Sequence, residues 1–149
     1  MCVIDPKLIL LDLDAPNRDT ALEKMADALD QANRLNDKVG YLQAVHEREA
    51  EFSTAFEGGV AIPHGKTDCA KCSSVVFARL KQPIIWDNES EEEPVSLIFL
   101  LAIPECEKGE GHLRILSSLA TSIMEEQFVQ GLRQSTRVED AYALLKNIG

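Results

Sequence analysis

His64 and His112 are the residues of this 149-residue chain best placed by their neighbours to do chemistry. His64 stands in Gly58-Gly59-Val60-Ala61-Ile62-Pro63-His64-Gly65-Lys66-Thr67-Asp68, directly after a short apolar run. Pro63 fixes its own φ and pushes Ile62 toward extended backbone, while Gly65 lets the chain turn away with no side chain in the path. The imidazole is thereby presented rather than buried. His112 follows Gly109-Glu110-Gly111 and is expected to begin a helix. In open α/β sheets ligands gather beyond the carboxyl ends of strands, and a helix N-terminus there offers free N–H groups and a positive dipole end to an anion. The two histidines are therefore candidates for one shared site, and phosphate is a suitable ligand for it. His46, flanked by Glu47 and Arg48 within a predicted helix, reads as a solvated residue.

Other chemistries fit the spacing less well. Gly65-Lys66-Thr67 has the end of a phosphate-binding P-loop, but five residues separate Gly59 from Gly65 where the motif requires four. Pro63 would also remove one of the backbone donors that cradle phosphates. Cys69 and Cys72 form C-x-x-C and could join histidine in a zinc set. No second pair accompanies them and a strand follows at once, so they read as ordinary thiols. The motif does not open a helix in a thioredoxin-like pattern either. Neither a Gly-x-Ser-x-Gly elbow nor an H-E-x-x-H pair is present.

Composition narrows the partners. Against 15 Lys and Arg stand 25 Asp and Glu, a net charge of −10, which argues against nucleic acid and anionic membrane. The longest apolar run, Leu97 to Ile103, has seven residues, and a membrane-spanning helix needs roughly 20. No signal peptide is visible, the cysteines at 2, 69, 72 and 106 do not form a disulfide framework, and the cytoplasm is the expected compartment. A chain with 45% hydrophobic residues fills one core, so residues 1–149 read as a single domain.

The elements that must position the histidines follow from pattern. Leu8 to Leu13 reads as a strand stopped by Asp14-Ala15-Pro16-Asn17. A capping box of Thr20 with Glu23 opens a helix whose Leu22, Met25, Ala26 and Leu29 share a face. A second helix covers Lys38 to Glu51, with Leu42, Val45 and Phe52 near one face and Arg48 off it. Val60 to Ile62, Ser74 to Leu80 and Ile84 to Trp86 are short strands. Val95 to Ile103, apolar at nearly every position and bracketed by Pro94 and Pro104, is the expected middle of the sheet. Glu89 to Glu93 and Glu105 to Gly111 read as loops. Leu113, Leu116, Leu119, Ala120 and Ile123 form a wide stripe that predicts a deeply buried helix. A capping box of Thr136 with Glu139 opens the last helix, which buries Val138, Ala141, Tyr142 and Leu145. The expected fold is α/β, a mixed sheet flanked by α-helices.

Val60-Ala61-Ile62-Pro63-His64-Gly65, preceded by Arg48-Glu49 and followed by His112-Leu113, resembles the enzyme IIA components of the bacterial phosphoenolpyruvate-dependent sugar phosphotransferase system, fructose/mannitol branch. The resemblance covers essentially the whole chain, and His64-Gly65-Lys66-Thr67-Asp68 is similar to fructose-type members. Family members usually carry Gly where this chain has Ala55 and Glu57. The resemblance implies the IIA fold, with His64 as a nucleophile that takes a phosphoryl group from a histidine-containing phosphocarrier protein. It then passes the group to a reactive cysteine of a IIB domain or subunit, with a membrane-embedded IIC served indirectly. It also implies that His112 hydrogen-bonds the phosphoryl group, that Arg48 adds positive charge, and that neither metal nor organic cofactor is needed. Exposure of His64 would keep its pKa near about 6.5. The alternative within the same resemblance is a nitrogen-type regulatory IIA protein that acts by phosphorylation-dependent binding of other proteins.

Overall fold

Val95–Ile103, buried at every position but Ser96, is the strand on which the sheet is built. In the computed structural model, residues 3–56, 58–87, 93–106 and 110–146 are described, apart from the side chains of residues 110–112. The strands are β1 (Ile9–Leu13), β2 (Ala55–Phe56), β3 (Val60–Ala61), β4 (His64–Lys66), β5 (Ser74–Ile84) and β6 (Val95–Ile103). The helices are α1 (Arg18–Gln31), α2 (Lys38–Glu51), α3 (Glu110–Ile123), α4 (Glu126–Gln134) and α5 (Val138–Leu145).

The sheet runs β1-β5-β6-β3-β2, with β4 also paired to β6. β5 is antiparallel to β6, while β1 lies parallel to β5 and both β3 and β4 lie parallel to β6. Val60 pairs with Leu97 and His64 with Leu101, so β3 and β4 follow β6 in one register on either side of Ile62-Pro63. The proline lacks an N–H for the ladder but still contributes its carbonyl, which accepts from Leu101 N at 3.0 Å. The expected strand Ser74–Leu80 continues to Ile84 as β5, whose register shifts between Arg79 and Ile84, around Pro83, whereas Ile85 and Trp86 of the expected strand Ile84–Trp86 lie past its end.

Both faces of β5 and β6 are covered, as the near-continuous apolar run of β6 requires. One face packs Val76, Ala78, Ile98 and Leu100 against Leu22, Met25 and Leu29 of α1 and Tyr41 and Val45 of α2. The other packs Phe77, Leu97, Phe99 and Leu101 against Leu119, Leu132 and Leu145 of α3 to α5. The result is one α/β domain with a mixed sheet between two helical layers. Among the described residues no helix is long and apolar enough to cross a membrane.

Several expectations shift at the helix ends and faces. α1 begins at Arg18 because the extended Asn17 caps it, its side chain accepting from Thr20 N at 2.8 Å; Thr20 thus lies in the first turn and is not the cap. α2 keeps its expected bounds but buries Tyr41, Val45 and Glu49, with Leu42 half-buried and Phe52 exposed. In α3 Ile115 and Leu119 are buried, Leu116 and Ile123 half-buried, and Leu113 and Ala120 exposed. The sheet claims only a narrow line of that helix. α4, which no capping signal announced, covers β5 and β6 with Phe128 and Leu132. α5 starts at Val138, with Arg137 at its N-cap making no side-chain cap bond. It buries Ala141 and Leu145 fully, and Val138 and Tyr142 in part. Of the expected loop Glu89–Glu93, residues 89–92 lie outside the described residues; the expected loop Glu105–Gly111 ends earlier than expected, since α3 already begins at Glu110, and its residues 107–109 lie outside the described residues.

Candidate active site

His64 opens β4 rather than lying in a loop, and it is half-buried. Its Nδ1 lies 3.1 Å from the carbonyl oxygen of Ile62. A carbonyl only accepts, so Nδ1 carries the proton there, and in the neutral ring the lone pair falls to Nε2. Burial lowers the His64 pKa from its ordinary value of 6.5, and the charge of Arg48 lowers it as well, against opposing contributions from the Ile62 hydrogen bond and Glu49. The expectation of an exposed ring with an unshifted pKa is therefore corrected: α2 shelters the strand, and desolvation penalises the imidazolium.

Gly65 is what lets α2 come so close. A Cβ on this residue would lie 3.1 Å from Cγ2 of Val45 and 3.3 Å from Cε1 of Tyr41. Tyr41, fully buried, anchors the same helix by donating to the carbonyl of Leu101 at 2.7 Å, and Leu101 is the residue paired with His64. Arg48 lies three residues beyond Val45, close to one helical turn, and shares two clefts with His64. Its Nη1 donates to the Phe52 carbonyl at 2.8 Å, which closes the C-terminal turn of α2.

The larger cleft, about 510 Å³, is lined by His64 and Arg48 together with Thr54, Ile62, Leu116 and Ala120. An apolar groove of about 390 Å³ continues from Ile62, Phe56 and Ala120 to Ile123 and Met124. Phe52, 76% exposed, and Met124, 86% exposed, stand at the rim. On the α2 side a second cleft of about 360 Å³ is lined by Glu47, Glu51 and Lys66 beside Arg48 and His64. The structure thus brings Arg48 and His64 together. His112 lies in the first turn of α3, four residues before Leu116, and its side chain is outside the described residues.

The Gly58–Gly59 turn before β3 has φ of +85° and +76°. A Cβ on Gly59 would also lie 2.8 Å from the Pro94 carbonyl, so glycine is required there on two counts. Arg133 of α4 donates to the Gly58 carbonyl and to Ser96 Oγ and holds the turn to β6. Ala55 sits in β2, paired with Ala61, and needs no left-handed backbone; Glu57 is outside the described residues.

Sequence pattern alone did not mark Glu49, Thr54 or the α3 wall as parts of the site. Lys66 carried a usable signal, since two residues along a strand is the same face as His64. The cysteine sulfurs of the C-x-x-C face different groups: Cys69 Sγ lies 3.9 Å from Asp68 Oδ1, and Cys72 Sγ 3.8 Å from Ser74 Oγ. Among the described residues no three His, Cys, Asp or Glu side chains gather as a metal site.

The molecule is thus a small α/β protein in which His64 and Arg48 line a common cleft. Residues 2–148 match the family model described as phosphoenolpyruvate-dependent sugar phosphotransferase system, EIIA 2, and the chain belongs to that family. It is 32% identical over 142 residues to the fructose-specific EIIA component of the phosphotransferase system of Haloferax volcanii, covering 95% of this chain and 91% of the relative. It is 34% identical over 134 residues to the fructose-specific EIIABC component of Bacillus subtilis, covering 89% of this chain but 20% of that longer one. Among solved structures, nitrogen regulatory protein IIA-Ntr from Neisseria meningitidis superposes with a TM-score of 0.86 at 29% identity, over 96% of both chains. Escherichia coli IIA mannitol, solved in complex with phosphorylated IIB mannitol, shares the fold at a TM-score of 0.76 and 22% identity, over 93% and 94% of the two chains.

Proposed function

We propose that this chain is a phosphoryl carrier, a phosphotransferase subunit that takes a phosphoryl group onto Nε2 of His64 from the histidine-containing phosphocarrier protein. It hands the group to the reactive cysteine of a fructose-type IIB during sugar uptake. The observation that carries this reading is the bond between Nδ1 of His64 and the Ile62 carbonyl, in a cleft that His64 lines together with Arg48. It fixes the tautomer whose nucleophilic atom is Nε2.

In the first step the Nε2 lone pair attacks phosphorus, a new N–P bond forms, and the N–P bond to the carrier imidazole breaks. In the second a IIB thiolate attacks, an S–P bond forms, and Nε2 recovers its lone pair. Nδ1 keeps its proton throughout, and the Ile62 carbonyl offsets the positive charge of the phosphorylated ring. Such transfers ask for in-line placement and for positive charge near the equatorial oxygens. Arg48 is the proposed source of that charge. His112, on the helical face that continues to Leu116, is proposed to hydrogen-bond the phosphoryl group, aided by the positive end of α3. The step needs neither metal nor organic cofactor.

The rim fits protein partners. Exposed Phe52, Phe56 and Met124 beside the cleft suit apolar side chains of a docking protein, and Glu47 and Glu51 suit a basic edge. IIB is proposed as a direct partner by analogy with the mannitol complex, and IIC as an indirect one, from a cytoplasmic location. A second reading, nitrogen-type regulation, is supported by the likeness to the Neisseria protein.

Incubation with phosphoenolpyruvate, enzyme I and the phosphocarrier tests both readings. One acid-labile phosphohistidine is expected, absent in His64→Ala. Discharge to a fructose-type IIB within seconds, blocked by serine at its cysteine, supports transport. A phosphoryl group that persists with every cognate fructose- and mannitol-type IIB, with binding to a regulated protein set by phosphorylation state, supports regulation.

A further inference from the structure

Glu49 is a charged side chain 93% removed from solvent, next in sequence to Arg48 and assigned no task by the transfer chemistry above. Burying a carboxylate is costly unless hydrogen bonds replace its water. Here three do: Thr54 N donates to Oε2 at 2.8 Å, Thr54 Oγ1 to Oε1 at 2.6 Å, and Trp86 Nε1 to Oε2 at 3.1 Å. These bonds join the last turn of α2, the cleft wall at Thr54 and the residue Trp86 beyond β5. Between Glu49 and Thr54 lies Phe52, whose carbonyl is the acceptor for Arg48. Fixing Thr54 therefore fixes the carbonyl on which the Arg48 guanidinium rests.

From this geometry we infer that Glu49 is a positioning residue for phosphoryl transfer, holding the wall from Phe52 to Ala55 so that Arg48 stays beside His64. This rests on the phosphocarrier reading of the site. Its negative charge has a separate effect, since it opposes the lowering of the His64 pKa. The charged side chains that line the His64 clefts, among the described residues, are Arg48, Glu47 and Glu51 from α2 and Lys66 from the strand itself.

Position and charge separate experimentally. Glu49→Gln keeps an oxygen for the two N–H donors and lets the Thr54 hydroxyl turn to accept, while it removes the charge. Glu49→Ala removes the bonds as well, and Thr54→Val removes only the hydroxyl tether. Single-turnover labelling from phosphorylated phosphocarrier is measured well below each variant's unfolding temperature, with carrier affinity determined separately. Glu49→Ala is expected to slow transfer on the order of 10²-fold with affinity within twofold, as small misplacements of reacting groups do. Glu49→Gln should restore the rate to within a few-fold of the parent, and Thr54→Val should be several-fold slow. In Glu49→Gln the His64 imidazole, followed by NMR, should titrate at lower pH than in the parent. Parental rates in folded Glu49→Ala and Thr54→Val would overturn the positioning role, and Thr54→Val decides alone if Glu49→Ala does not fold. A parent protein that takes no label would overturn the carrier reading instead. In that case chemical-shift movement of the Arg48 guanidinium in Thr54→Val supports the positioning role, and its absence overturns it.

Discussion

Gly65 and Val45 stand so close that a Cβ on the glycine would meet Cγ2 of the valine at 3.1 Å, with Tyr41 Cε1 at 3.3 Å and Val45 N at 3.4 Å. The contact sets the distance between α2 and β4, and hence between Arg48 and His64. Gly65→Ala should therefore push the helix outward by a few tenths of an ångström. Overpacking of this kind costs about 1–3 kcal/mol. Denaturant unfolding should show that loss, and single-turnover labelling in the folded protein should fall at least several-fold. A rate equal to the parent's would mean that the approach of α2 does not govern the site.

The lowered pKa of His64 makes two predictions with one sign. Only the neutral ring attacks, so the acid limb of the labelling rate should lie below the ordinary imidazole value of 6.5. Between the lowered folded value and 6.5 the unfolded chain binds more protons at this residue than the folded one. Stability should then rise with pH across that window, and His64→Gln should flatten the slope. Unfolding curves at a series of pH values, compared between parent and variant, check the sign.

His112→Ala should still accept label at His64 but pass it on more slowly. Loss of one oriented donor to developing charge typically costs 10²- to 10³-fold in rate. Rapid-quench transfer to a IIB partner measures this, and an unchanged rate would remove His112 from the site.

Cys69→Ser with Cys72→Ser should leave labelling of His64 at the parental extent, because neither thiol lines the His64 clefts. Elemental analysis of the purified protein should find no stoichiometric zinc. One zinc per chain, lost in the double variant, would restore the metal reading.

The sequence by itself determined the central strand and singled out His64 as the candidate nucleophile. β6 matches its expected bounds because a run apolar on both faces has one stable place in a sheet, the middle. α2 likewise keeps its expected bounds, Lys38–Glu51. His64 was legible because Pro63 and Gly65 leave a local signature on either side of it.

Tertiary structure decided which faces those elements use. Leu116 and Ala120 looked like core residues, but α3 turns Ile115 and Leu119 to the sheet and leaves the other two as a cleft wall. Helical periodicity records that a face is apolar, not which neighbour meets it. The same holds for Glu49, a helix carboxylate whose burial depends on donors from Thr54 and Trp86 that no local pattern records. The pKa of His64 also belongs to this class. Its proton affinity depends on the water that α2 excludes and on the charge that Arg48 brings, and both arrive only when the chain is folded.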